Sequence, residues 1–116
     1  FICFFIQKQK GNKFMKINTR LIEKSLLEVK NDILDICTNE NITLSYFEPR
    51  ITNIERCISI LDSISLFIDD LVFIKEFTAL NIVHKRILSN QNEFLESKDF
   101  RKLQINSLNY MGINFN

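Results

Sequence analysis

Few side chains in this sequence are of the kinds that commonly do chemistry, and their spacing indicates no reaction. There is one histidine, His84, and there are three cysteines, Cys3, Cys37 and Cys57. Catalytic triads and most metal sites need a histidine with defined partners, and no pair of cysteine or histidine residues has metal-ligand spacing here. The sequence therefore predicts neither a catalytic residue nor a metal site.

The carboxylates and glycines of the sequence, like its histidine and cysteines, do not indicate a site for a bound ligand. Asp69 and Asp70 are adjacent, but neighbouring residues of a helix point about 100° apart, so their carboxylates do not converge on one ion. We interpret them as solvated or helix-pairing residues. Glycine occurs only at positions 11 and 112, so the chain has no glycine-rich loop to hold a phosphate group. We expect no cofactor, no cofactor-binding residue and no small-molecule substrate.

Basic residues are the remaining candidates for chemistry, because they can contact phosphate groups. Lys85 and Arg86 follow His84 near the predicted end of a helix, where positive charge is favourable. The first 22 positions hold five basic residues and no acidic residue. The phosphate-contact hypothesis covers Lys8, Lys10, Lys13, Lys16, Lys85 and Arg86.

The N-terminal arm, residues 1–18, joins six apolar residues to this basic stretch, and three interpretations stay open. One is a β-hairpin or extended arm that turns at residues 11–12 and packs its phenylalanines on the helices. A second is the end of a transmembrane helix; since a bilayer needs about 20 apolar residues, this anchor would lie upstream of Phe1. The third is a basic arm on RNA phosphates. Met15 is an alternative first residue.

Composition indicates one globular domain in a reducing compartment. A chain of 116 residues that is 46% hydrophobic has a common domain size and can bury a core. A net charge of +1 gives no overall field toward nucleic acid or membrane. An odd number of widely spaced cysteines argues against a disulfide framework, so we expect an intracellular protein, cytoplasmic or organellar. Abundant Ile, Asn and Phe with one Ala and one Pro indicate an A/T-rich genome.

The clearest predicted helix covers residues 19–38. Five apolar residues step by four and three positions along one seam, as the inner face of a helix does: Ile22, Leu26, Val29, Ile33 and Ile36. Residues 39–49 are predicted to connect this helix to the next. Because Pro49 disfavours helical geometry at Glu48 and suits the first turn of a helix, we expect the second helix to begin near Pro49 or Arg50.

A run of about forty residues without proline or glycine, residues 50–88, is dense in Ile, Leu and Phe. A single helix of this length would reach about 60 Å, so we expect a break at residues 63–67 or 75–78, although one unbroken helix stays open. A helix that is apolar on more than one side is buried on more than one side. The hypothesis of interaction residues covers Ile54, Leu61, Ile64, Ile68, Leu71, Phe73 and Phe77.

The C-terminal quarter is predicted to contain a short helix and an apolar tail. Asn90, with Glu93 three residues on, resembles a capping signal, and a short helix through Phe94 would follow. The tail, residues 105–116, places apolar residues near alternation, which suggests a short strand or a docking tail.

Two family resemblances bear on function. The stretch Ile-Thr-Asn-Ile-Glu-Arg-Cys-Ile-Ser-Ile-Leu, residues 51–61, resembles the opening helix of the small helical toxins of the HEPN class. That family's ribonuclease motif is an arginine followed four to six residues later by histidine, and no arginine precedes His84 at that distance. The first 38 residues, an apolar run, a basic stretch and then a helix, resemble the stalk b subunit of rotary ATP synthases, which implies a membrane-associated subunit.

These observations predict a mostly α protein, a small three- to four-helix bundle over residues 19–116 with a hairpin or extended arm before it. The expected function is that of a non-enzymatic interaction subunit or adaptor in a larger protein or ribonucleoprotein assembly, which acts by burying apolar helix faces. Other protein subunits are the expected partners, and nucleic acid would bind the basic arm. The alternatives are a membrane-associated subunit of an organellar complex, anchored upstream of Phe1, and a HEPN-like toxin, which the missing motif disfavours.

Overall fold

The computed structural model describes residues 19–113 and 115, and this part of the chain folds into five helices. They are α1 (Thr19–Thr38), α2 (Leu44–Ser65), α3 (Leu71–Ser89), α4 (Gln91–Glu96) and α5 (Lys98–Tyr110). The prediction of a small, mostly α bundle is therefore confirmed. The N-terminal arm, for which a hairpin was one interpretation, lies outside the described residues.

The core is made by the inner faces of these helices. Each side chain named next is at most 2% exposed: Ile22, Leu26, Val29, Ile33 and Ile36 of α1, Phe47, Ile54 and Leu61 of α2, Phe73, Leu80, Val83 and Ile87 of α3, Phe94 of α4 and Leu108 of α5. The five seam residues predicted for α1 are all in this set, and α1 has the predicted bounds. Apolar spacing alone therefore identified both the helix and its buried face.

Polar side chains fix the register of α1 against α2, its main packing partner. The Asn53 amide donates hydrogen bonds to Glu28, at 3.3 Å, and to Asp32, at 2.5 Å. Arg56, one turn further along α2, pairs with Glu28 at 3.5 Å. Because advancing along α2 means moving back along α1, the two helices run antiparallel. Burial raises the pKa of Asp32, and the Asn53 hydrogen bond opposes that shift.

The second helix begins at Leu44, five residues before the predicted start at Pro49. The Thr43 hydroxyl accepts a hydrogen bond from the Tyr46 N–H at 3.2 Å and caps the helix. Pro49 lies inside α2, where its missing N–H leaves one carbonyl near the helix start without its helical donor. Both Ser45, which carries that carbonyl, and Pro49 are exposed, so water can bond to it. The predicted connector is thus wrong in its second half, and α2 gains a turn that buries Phe47.

The long apolar run is divided into two helices. α2 ends at Ser65 and α3 begins at Leu71. The first predicted break, residues 63–67, is therefore confirmed, and the chain stays helical through residues 75–78. The Asp70 carboxylate accepts hydrogen bonds from the N–H groups of Val72, at 2.8 Å, and Phe73, at 3.1 Å. Asp70 is therefore the N-cap of α3, and only Asp69 of the two adjacent aspartates is exposed.

A buried arginine joins the end of α1 to α4 and α5. The Arg101 side chain is 2% exposed, and its guanidinium donates to the carbonyl oxygens of Phe94, Asn39, at 2.9 Å, and Glu40, at 3.0 Å. Asn39 and Glu40 directly follow α1, where the helix dipole is negative. One cation therefore satisfies carbonyls from two separate parts of the chain.

The first half of the predicted tail, residues 105–110, is helical, so the strand, one of its two interpretations, is wrong there. α5 runs to Tyr110, and Gly112 follows with a φ of +85°, a left-handed conformation that favours glycine. The N–H groups of Ile113 and Gly112 bond back to the carbonyls of Leu108 and Asn109, both at 3.0 Å, which is the pattern of a Schellman cap. At the other end of this region Asn90 does not cap α4, because its side-chain amide donates to the Arg86 carbonyl instead.

The cap of α3 can be tested by truncation. Asp70→Ala should lower the free energy of unfolding by about 1 kcal/mol, since two N–H groups lose their acceptor. The matched control is Asp69→Ala, at the exposed neighbouring carboxylate, which should change stability by less than about 0.5 kcal/mol. Urea unfolding followed by circular dichroism measures both. Equal effects from the two substitutions would contradict the assignment of Asp70 as the cap.

The role of Arg101 can be tested in the same way. Arg101→Met keeps much of the side-chain volume but removes the charged donor to the carbonyls of Phe94, Asn39 and Glu40, and should destabilise the fold by about 3 kcal/mol. Arg101→Lys keeps the charge without the planar fork and should recover only part of that loss. Lys102→Met, at the exposed next residue, is the control. An Arg101→Met protein as stable as the Lys102→Met protein would rule out this role.

Candidate functional site

The most distinctive surface feature is a groove between α3 and α5. It consists of two shallow cavities, both widely open to solvent, of about 500 Å³ and 390 Å³, that share Tyr110 and Met111 in their walls. The first is lined by Lys75, Thr78, Ala79, Ile82, Tyr110 and Met111, and the second by Arg86, Leu103, Asn106, Ser107, Tyr110 and Met111. We call these ten residues the α3–α5 groove.

One outer stripe of α3 forms the first wall of the groove. Lys75, Thr78, Ile82 and Arg86 recur every three or four positions, so they share a helical face. The opposite face of α3 is in the core. Ala79 is 3% exposed and lies between the two faces, where its small side chain leaves room for the first cavity.

The outer face of α5 forms the second wall and carries the most exposed aromatic side chain among the described residues. Tyr110 is 94% exposed, Leu103 is 56% exposed and Ile82, across the groove, is 38% exposed. The inward face of α5 consists of Arg101, Gln104 and Leu108. The groove thus brings apolar side chains from two helices, 21 to 28 positions apart in sequence, onto one surface.

Positive charge stands at both ends of the groove. Lys75 lies at the end of α5, since a methyl group placed on Gly112 would be 3.1 Å from the Lys75 Nζ. Arg86 lines the far cavity beside Leu103. None of the ten lining residues is acidic. α3 and α5 therefore run antiparallel, with an apolar middle between two cations.

The residues hypothesised from sequence to contact a partner are mostly placed in the chain's own core. Ile54, Leu61, Ile68, Phe73 and Phe77 are each at most 8% exposed, and Ile64 is partly buried. Leu71 is the exception at 79% exposed, and it continues the outer stripe of α3 that includes Lys75 and Ile82. The described structure therefore leaves only Leu71 of this set open to a partner.

The residues hypothesised to contact phosphate are divided between two regions. Lys85 and Arg86 are exposed neighbours near the end of α3, and only Arg86 lines the groove. Lys8, Lys10, Lys13 and Lys16 lie outside the described residues, so the basic arm stays a prediction.

The reactive side chains of the described residues are buried. Cys37 and Cys57 are free thiols in the core, and burial raises the pKa of Cys37 to about 12. Burial also raises the pKa of Cys57. A thiol with a raised pKa is a poor nucleophile, because the thiolate is the reactive form. We therefore assign both cysteines to packing.

His84 is also buried, at 9% exposed, and faces away from the groove. Its Nε2 atom has no hydrogen-bond partner among the described residues. Burial lowers its pKa; the nearby carboxylate of Glu55, on α2, opposes that shift, and Lys85 adds to it. The imidazole therefore stays neutral within the core at neutral pH.

Residues 19–113 and 115 also bear on two other kinds of site. No group of three or more histidine, cysteine, aspartate or glutamate side chains in this part of the chain could hold a metal ion. Among its five helices, none combines the length and the hydropathy needed to cross a bilayer.

Comparison of the chain with protein-family models, with curated proteins and with solved structures finds no match.

The sequence analysis does not reveal the groove, because it predicts a short strand or a docking tail over residues 105–116 and not a helix. Leu103, Ser107 and Tyr110 are spaced by four and three positions, which is a helical stripe. Gly112 just past that stripe is the usual position of a helix C-cap glycine. Together these two signals would have extended α5 and revealed its outer face, although not its position beside α3.

The burial of His84 predicts a pH dependence of stability. Its pKa in the folded state is lowered, so the unfolded chain takes up a proton more readily. The contribution of neutral His84 to the free energy of unfolding is fully present above the ordinary histidine pKa of about 6.5. It is lost as the pH falls from there through the lowered pKa of the folded state. Urea unfolding of the wild type and of His84→Gln at several values between about pH 5 and 7.5 should show a steeper loss for the wild type. Parallel curves would contradict this assignment.

Proposed function

We propose that this protein is a non-enzymatic helical interaction subunit or adaptor that binds a protein partner through the α3–α5 groove. The observation that carries the proposal is the contiguous apolar lining formed by Ile82, Leu103, Tyr110 and Met111 around two cavities. The partner would be another subunit of a larger assembly. The proposed contact surface is therefore the groove, and not the apolar residues of α2 and α3 that the sequence hypothesis named and that are mostly buried.

The cavities distinguish this surface from ordinary exposed apolar residues. Single exposed leucines are normal on soluble domains and need no function. A concave apolar surface with a few polar groups is the usual form of a binding site, because partner side chains can enter it and lose contact with water. Burial of such area stabilises a complex by roughly 25 cal/mol per Å² before the costs of association.

The bundle can present this groove without rearrangement. The core side chains of α3 and α5 are packed on their inner faces, and the ion pair between Lys30 and Glu76, at 3.1 Å, links α1 to α3. Core packing on the inner faces therefore holds both walls of the groove in place. A partner that binds such a preformed surface avoids most of the cost of ordering it.

The proposal is tested by the size of the particle that contains the chain. In gel filtration of native cell extract, with detection by mass spectrometry, the wild type should elute in an assembly larger than the purified chain. The variant Ile82→Asp/Leu103→Asp should elute at the size of the free chain, because two carboxylates in the groove oppose apolar burial.

The matched control places the same substitutions on exposed leucines outside the groove. Leu27 is 49% exposed on α1 and Leu66 is 80% exposed after α2, so Leu27→Asp/Leu66→Asp should leave the larger particle intact. Thermal unfolding checks that both variants fold. A wild type that elutes as the free chain, or a groove variant that stays in the assembly, would refute the proposed function.

A further inference from the structure

The lining of the α3–α5 groove also indicates the kind of partner that fits it, an inference that rests on the proposed function. We propose that the groove binds an amphipathic α-helix that carries an acidic residue at each end of a short apolar stripe.

The shape of the groove supports a helical partner. Its walls are two antiparallel helices, and a third helix laid between them packs by the helix-in-groove mode, with apolar anchors at positions i, i+3 or i+4, and i+7. Lys75 and Arg86 are eleven positions apart on α3, which corresponds to about 16 Å along the helix axis. The apolar middle therefore accommodates about three turns of a partner helix.

The charges of the groove specify the ends of that helix. Lys75 and Arg86 flank the apolar middle, no ion pair joins either of them to another described residue, and the lining holds no carboxylate. A partner without acidic residues would cover these cations and leave them unpaired, which is costly. A carboxylate near Arg86 can accept two parallel hydrogen bonds, while Lys75 acts as a point charge.

Tyr110 supplies a central anchor. Its side chain is 94% exposed and lies in the wall of both cavities. Tyrosine is enriched among residues that dominate binding energy, because its ring offers large contact area with little loss of side-chain freedom. Two apolar side chains one turn apart on the partner would enter the two cavities on either side of this ring.

The inference is tested by selecting helical peptides against the full chain. The probe is a displayed library of helix-forming peptides of about 16 residues, roughly four turns, randomised on one face and at both ends of that face. We expect enriched peptides to carry an apolar stripe flanked by Asp or Glu. An acidic-ended peptide should bind the Lys75→Glu/Arg86→Glu variant at least about tenfold more weakly, and the same library should select basic-ended peptides on that variant.

The controls separate this inference from the proposed function. Lys24→Glu/Lys102→Glu, at exposed lysines outside the groove lining, should leave the affinity within about twofold. Tyr110→Ala should weaken binding at least tenfold, by about 1.4 kcal/mol or more. If enriched peptides bind in the groove but show neutral or basic ends, or bind without forming a helix, the partner class is wrong while the groove keeps its function.

Two further results would be more damaging. If the selected peptides bind the Ile82→Asp/Leu103→Asp variant as tightly as the wild type, their binding site lies outside the groove. Both the proposed partner class and the proposed role of the groove would then be wrong. A selection that enriches no peptide on a folded wild-type chain would also overturn the inference, because the groove would then not bind amphipathic helices.

Discussion

The arrangement of the C-terminal helices depends on one buried cation. A buried guanidinium is costly unless its N–H groups meet acceptors. The two terminal nitrogens of Arg101 donate to the carbonyls of Asn39, Glu40 and Phe94, and only its Nε has no partner among the described residues. These carbonyls belong to the end of α1 and to α4, so the requirement brings three separate parts of the chain to one point. Because Arg101 must face inward, the rotation of α5 about its own axis is fixed. A shift of one residue, about 100°, would bury the charged Lys102 instead.

Apolar periodicity predicted most of the fold, and the failures occurred where a local signal competed with another. The spacing of Ile22 to Ile36 predicts the buried face of α1, since one face of a helix packs on the core. Pro49 predicts a helix start, but α2 begins earlier, because Thr43 caps it and Phe47 is a core residue. A proline costs one hydrogen bond and some steric strain near a helix start. The Thr43 cap and the burial of Phe47 both favour the longer helix and offset that cost.

The candidate site was harder to predict, because it depends on which faces are left over after the core is filled. Residues 71–89 are apolar on more than one side, so sequence alone could not say whether Phe73 or Leu71 would face inward. The cap at Asp70 fixes where α3 begins, and its packing in the bundle, mainly on α2 and α5, decides which face is inside: Phe73 is buried and Leu71 is exposed. The five buried residues of the sequence hypothesis were correctly seen as apolar, but that pattern cannot distinguish burial within a chain from burial against a partner.

The groove and the core are therefore set by the same constraint. Once Arg101 and Leu108 face inward, Leu103 and Tyr110 must face outward, because residues two positions apart on a helix lie on different sides. α5 also lies antiparallel to α3, so Tyr110 and Met111 share a cavity with Ile82, and Leu103 shares one with Arg86. The apolar surface at the groove is then a direct result of how the bundle satisfies a buried charge. A chain with another acceptor arrangement for Arg101 would keep its helices and lose the alignment of Leu103 and Tyr110 with α3, and with it the surface on which the proposed function rests.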